Sequence, residues 1–136
     1  MTTQTDVFDS LKTVIEAGVS GLRVYPRVPS SVNELPAAII VPVNRDAVIT
    51  MGGTLSMQTV RISVYVASVD NEQAWETAQN YQGATGSVSI QAAIDSNPTL
   101  GGAVDCALIR TTEIVQREAF GAGDYVVAEF TVEIWR

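Results

Sequence analysis

Residues 124–136 constrain this chain more than any other stretch: Val126, Ala128, Phe130, Val132 and Ile134 alternate with Val127, Glu129, Thr131, Glu133 and Trp135. Successive side chains on a strand point to opposite faces, so the pattern predicts a strand with one apolar face turned to a core. Just before it, Phe120, Gly121, Ala122, Gly123 and Asp124 carry turn chemistry, and residues 104–118 are another run rich in β-branched side chains. The two runs read as one long hairpin, on which the rest of the chain must pack.

A chain of 136 residues is long enough for one domain and one core, and too short for a second. Residues 1–136 are therefore read as a single domain, with a projecting loop or hairpin near 44–57. With 46% hydrophobic and 17% charged residues, the chain belongs with globular proteins rather than disordered ones. Its apolar runs fall short of the roughly 18 residues a membrane span needs. Its first residues lack the basic and apolar regions of a signal peptide, so it is expected to remain in the cytoplasm where it is made.

Along the chain, Val7, Phe8, Leu11, Val14 and Ile15 recur at helical spacing, with Asp6 as the expected N-cap and Gly18 near the end. This stripe is expected to cover the sheet. Residues 21–25 read as a short strand broken by Pro26 and Pro29. Residues 36–43 are too continuously apolar for a one-sided strand, which predicts a strand buried on both faces with Pro36 and Pro42 at its ends. Residues 59–67 alternate, with Val60, Ile62, Val64 and Val66 inward.

Asp70, Asn71, Glu72 and Gln73 have the form of a capping box, followed by Ala74, Trp75, Ala78 and Tyr81 at helical spacing. Ser87 is placed to cap a further short helix carrying Ile90, Ala93 and Ile94, ended by Asn97 and Pro98. The order of elements predicts an α+β fold: a mainly antiparallel sheet with two or three helices packed on one side.

The sequence contains no histidine. That removes Ser-His-Asp and Cys-His nucleophile activation and the commonest zinc ligand, and a single cysteine excludes thiolate-rich zinc sites. Lys12 follows Leu11 rather than a glycine, so there is no Walker A loop. Asp95, Asn97 and Thr99 imitate the start of a calcium loop, but Leu100 stands where glycine is required and Cys106 where a bidentate glutamate is needed. Glu129 and Glu133 share a strand face about 13 Å apart, wider than the roughly 5 to 9.5 Å of a glycosidase carboxyl pair. They read as solvated, or as paired with arginines on neighbouring strands or subunits. No catalytic residue, metal ligand or cofactor follows from the sequence, and the chain reads as a non-enzyme.

Fifteen acidic residues against eight basic ones leave a net charge of −7, the opposite of the balance that phosphate binding needs. Such charge keeps a protein soluble, and it also serves where DNA must pass without sticking. Cys106 lies in the β-rich run of residues 104–118 and is expected to pack as a small apolar side chain. Residues 44–56 are the least patterned, with Gly52 and Gly53 at a tip. Met51, Leu55 and Met57 there form either an adaptable contact surface or a lid folded onto the core.

Tyr25-Pro26, Pro29, Val32 and Pro36-Ala37-Ala38, followed by Asp95 to Asp105 with its Pro98-Thr99-Leu100-Gly101-Gly102 turn, resemble in their order, and the chain in its length, the lambda-like tail terminator family of long-tailed phages. The resemblance spans nearly the whole chain. It implies an α+β protomer forming a homo-oligomeric ring, a hexamer, that caps the tail tube, ends its polymerisation and offers the surface on which the filled head docks. The implied partners are the tail tube protein and a head-completion protein, with DNA passing through unbound and no membrane involved. The implied location is the head-proximal end of the virion tail. Related roles are a head-completion (neck) protein or a tube subunit; a reading of another class is a monomeric ligand-binding module. From exposure and composition, the residues expected at subunit or tube contacts are Arg23, Arg27, Arg45, Asp46, Met51, Leu55 and Met57.

Overall fold

The alternating run at the end of the chain takes the place its pattern demands, deep inside a five-stranded sheet. A computed structural model describes residues 4–19, 22–26, 36–46, 57–68, 72–83, 89–102, 104–118 and 124–135. In chain order these form α1 (Gln4–Gly18), β1 (Arg23–Tyr25), β2 (Ala37–Asp46), β3 (Met57–Ser68), α2 (Ala74–Gln82), α3 (Ile90–Asp95), a 3-10 turn (Leu100–Gly102), β4 (Cys106–Glu118) and β5 (Asp124–Trp135). The sheet order is β1-β2-β3-β5-β4. Only β1 and β2 run parallel; the other neighbours are antiparallel.

The fold is therefore α+β, with a mainly antiparallel sheet and its helices on one side. Val60, Ile62 and Val64 of β3 and Ala128, Phe130, Val132 and Ile134 of β5 are fully buried on the helix side. They share one cluster with Leu11 and Ile15 of α1, Ala78 and Tyr81 of α2, and Ile90 and Ile94 of α3. Burying a side chain of this size contributes roughly 1.5–3 kcal/mol, so this layer carries the stability of the fold. None of the described helices is long and apolar enough to cross a membrane.

Several local expectations are corrected. Helix α1 begins at Gln4, which puts Asp6 in its first turn rather than at its cap, where a carboxylate still favours the positive end of the helix. Of the expected capping box, Asp70 and Asn71 lie outside the described residues. Gln73 holds the N-cap position of α2 without a side-chain capping bond. Trp75 is 43% exposed, because the buried stripe of α2 runs through Ala74, Ala78 and Tyr81 and the position beside Ala74 is turned about 100° away.

Helix α3 is capped by Ser89, whose Oγ accepts from Ala92 N at 3.0 Å; Ser87 lies outside the described residues. Strand β2 is buried on both faces only over Ala37 to Ile40. It then runs past Pro42 to Asp46, with a register shift between Pro42 and Asn44. A proline cannot donate to the ladder, so the strand accommodates it at a bulge instead of ending there.

The Pro98–Gly102 reversal is built from consecutive left-handed residues, Leu100 at φ 51°, Gly101 at 74° and Gly102 at 94°. Glycine takes such angles freely, whereas leucine does so at a cost of about 1–2 kcal/mol. The Leu100 side chain is 2% exposed, and its burial offsets that strain. This turn directs the chain into β4 and hence into the final hairpin, which pairs without interruption in sequence from Cys106↔Trp135 to Glu118↔Asp124 apart from one extra residue near Arg110.

Candidate functional site

The sheet face opposite the helices carries the surface chemistry of this protein. Cross-strand register places its residues in rows, because directly opposed residues share a face. Ile39, Ser63, Glu129 and Glu113 form one row across β2, β3, β5 and β4; Val41, Arg61, Thr131 and Thr111 form the next. No described helix packs on this face.

Its centre is nevertheless shielded from water. Ala37, Ile39, Ser63, Val127 and Glu129 are all buried, which corrects the expectation that Glu129 is solvated. Ser63 Oγ donates to Glu129 Oε2 at 3.4 Å. Above them the rings of Tyr65 and Tyr125 meet edge to face, centroids 6.2 Å apart. Glu133, two repeats of the pleat further along, pairs with Arg110 of the neighbouring strand, Nη1 to Oε1 at 3.0 Å, as its expected pairing with an arginine requires. That pair is open to solvent on the arginine side and contributes little by itself.

At the far end of the same face, Met57, Trp135 and Cys106 are cross-strand neighbours, with Leu108 next along β4. Cys106 is partly exposed, not buried as expected, because it falls at the end of the face opposite the described helices while Val104 and Ala107 turn into the core. Leu108 is 37% exposed. The result is an apolar corner beside an ion pair.

The residues expected at contacts are distributed unevenly. Arg23 is exposed on β1 and shares the face opposite the helices with Tyr25, since they are register partners of Ala37 and Ile39. Arg45 and Asp46 are the last two residues of β2, paired with Gln58 and Met57, so the two strands reach further into the 44–57 segment than a loop would. Met57 opens β3 and joins the apolar corner. Arg27, Met51 and Leu55 lie outside the described residues. Sequence reasoning missed Arg110, Glu113, Leu108 and Trp135 as surface features; the alternation of residues 104–118 was the available signal, blurred by the extra residue between Ile109 and Thr111.

A second feature is an open groove of about 410 Å³ between α1 and the 97–101 turn, lined by Asp6, Asp9, Ser10, Thr13, Asn97 and Leu100 among others. It cannot act as an anion nest. The amides of the turn are already used: Leu100 N donates to Asn97 O, Gly101 N to Asn97 Oδ1, and Gly102 N and Val104 N to Thr99 O. Among the described residues no group of three or more carboxylate, thiol or imidazole side chains is placed to hold a metal ion.

No protein-family model matches this sequence, and no curated protein is significantly similar to it. The functional reading therefore rests on the residues and their geometry.

Proposed function

We propose that this chain is a structural virion assembly protein that forms a ring on the end of a phage tail tube, stops tube polymerisation and presents the surface on which the head docks. The observation that carries the reading is the long edge of the sheet at β4. All described helices serve one face of the sheet, which leaves the other face and the 13-residue edge of β4 without a described element against them. An unpaired strand edge of that length is a template for joining another chain.

The order of motifs along the chain and the α+β architecture are compatible with the tail terminator resemblance. So is the surface charge, since an acidic wall lets DNA pass without holding it. A ligand-binding module would need an enclosed apolar cavity with a few convergent polar groups, and the groove beside α1 is open and polar-lined instead.

The test is the solution mass by light scattering over a range of protein concentrations, with and without magnesium, followed by electron microscopy. Discrete six-membered rings with an open centre are the expected result. Long stacked tubes would move the assignment to a tube subunit, and a monomer under every condition would overturn it.

A further inference from the structure

The two edges of the sheet are unequal and complementary. One edge is β4, 13 residues long and without proline; its charged side chains and the extra residue between Ile109 and Thr111 restrict what can pair with it. The other is β1, three residues long. Among the described residues, β4 pairs only with β5 and β1 only with β2. On the face opposite the described helices the β4 edge presents Glu113, exposed and opposite Glu129, and the β1 edge presents Arg23, also exposed. Neither forms an ion pair with a described residue.

Strand directions decide how two such edges can meet. From β1 across the sheet the pairing is parallel, then antiparallel three times, so β4 runs opposite to β1. Rotating a second copy about an axis to which the strands are inclined, as in a closed sheet, brings its β1 beside β4 of the first in antiparallel sense, with the two faces opposite the helices on the same side. That contact is head-to-tail, the kind that closes into a ring.

We infer that β4 of one copy pairs with β1 of the next, with Glu113 opposite Arg23, Thr112 opposite Val24 and Thr111 opposite Tyr25. Faces agree throughout: Val24 and Thr112 lie on the helix side, and the other four on the opposite side. Within one sheet Arg23 stands level with Val115, so the register staggers neighbouring copies by two residues, as closing a sheet on itself requires. The opposite charges select the second copy as occupant. Glu113 in turn sits against Glu129 within its own sheet, a like-charge pairing that an incoming arginine relieves.

The inference rests on the ring reading for closure. One three-residue pairing with one exposed ion pair is weak, and a ring holds every copy at two such contacts. Two measurements test it. By light scattering, Glu113→Arg and Arg23→Glu should each raise the concentration of half-assembly at least about fivefold, and the two together should restore it to within about twofold. Both positions are exposed, so unchanged melting temperatures verify the fold.

In a Cys106→Ser background, Glu113→Cys with Arg23→Cys should oxidise to a ladder of covalent multimers, since opposed residues on paired strands lie within disulfide reach. Either change alone should give none. Rings that ignore both reversals and fail to cross-link would overturn the inference while leaving the ring reading standing. Cross-linking through Glu113→Cys alone would overturn it in favour of β4 against β4. A protein that stays monomeric and never cross-links would overturn both.

Discussion

Ser63 and Glu129 face each other on neighbouring strands, 66 positions apart in sequence, and the serine hydroxyl donates to the glutamate carboxylate at 3.4 Å with both residues almost wholly withdrawn from water. A bond of that length is weak, so what matters is the cost of leaving a buried carboxylate with one donor fewer. Ser63→Ala is expected to lower stability by about 1 kcal/mol. In a Glu129→Ala background the same change should cost much less. Urea denaturation of the four proteins of this double-mutant cycle measures the difference.

Gly18 ends α1 where α1 crosses α3. A Cβ at this position would lie 2.6 Å from Ala93 Cβ and 3.2 Å from Ala93 Cα. Alanine in a helix gains up to about 1 kcal/mol over glycine, but the overlap with backbone-anchored atoms costs about 1–3 kcal/mol. Gly18→Ala is therefore expected to lower the melting temperature. Ala93→Gly in the same chain removes the clash, and the two changes should be markedly non-additive by calorimetry.

Tyr81 is a group whose ionisation the fold alters. Burial raises its pKa above the ordinary 10.0, because desolvation opposes the phenolate. The folded state then holds the proton more tightly than the unfolded state, so nothing changes below pH 10 and stability falls as pH rises through and above it. Denaturant midpoints at stepped pH should show this alkaline loss, and Tyr81→Phe should flatten it.

Gln58 faces the helix side at the start of β3, 2% exposed, with its Oε1 lacking a hydrogen-bond partner among the described residues. An unsatisfied buried acceptor costs about 1–3 kcal/mol. Gln58→Met, which keeps the length and removes the polar atoms, is expected to stabilise the protein by about 1 kcal/mol, read from the urea midpoint at unchanged slope. A fall in stability would show that the amide makes a contact worth keeping.

The helix-side layer was legible because Val60, Ile62 and Val64, and Ala128, Phe130 and Val132, follow a strict period of two that only one face can satisfy. The burial of Glu129 was not legible. Alternation assigns a residue to a face and says nothing about what its neighbours across the strands, here Ser63 and Glu113, and the rest of the chain shield it with. Trp75 was misread for a related reason: an aromatic beside a buried stripe looks apolar in one dimension and lies on the wrong side of the helix in three. The edges of the sheet, on which the contact between copies depends, follow from strand order, and strand order is set by packing between segments far apart in the chain. Period-two patterns do not encode it.

Because β5 lies between β3 and β4, the sheet has no continuous middle until that one strand has inserted. The β4–β5 and β2–β3 hairpins are local and form within microseconds as elementary events. Joining them requires a search across more than sixty residues, and such closure dominates folding times in chains of high contact order. The expected kinetics are a fast local phase and a slow docking step, with Phe130 substitutions slowing docking in proportion to the contacts formed there. Until that step is complete, each molecule carries the open edges of two separate hairpins, so intermolecular strand pairing competes with folding at high concentration.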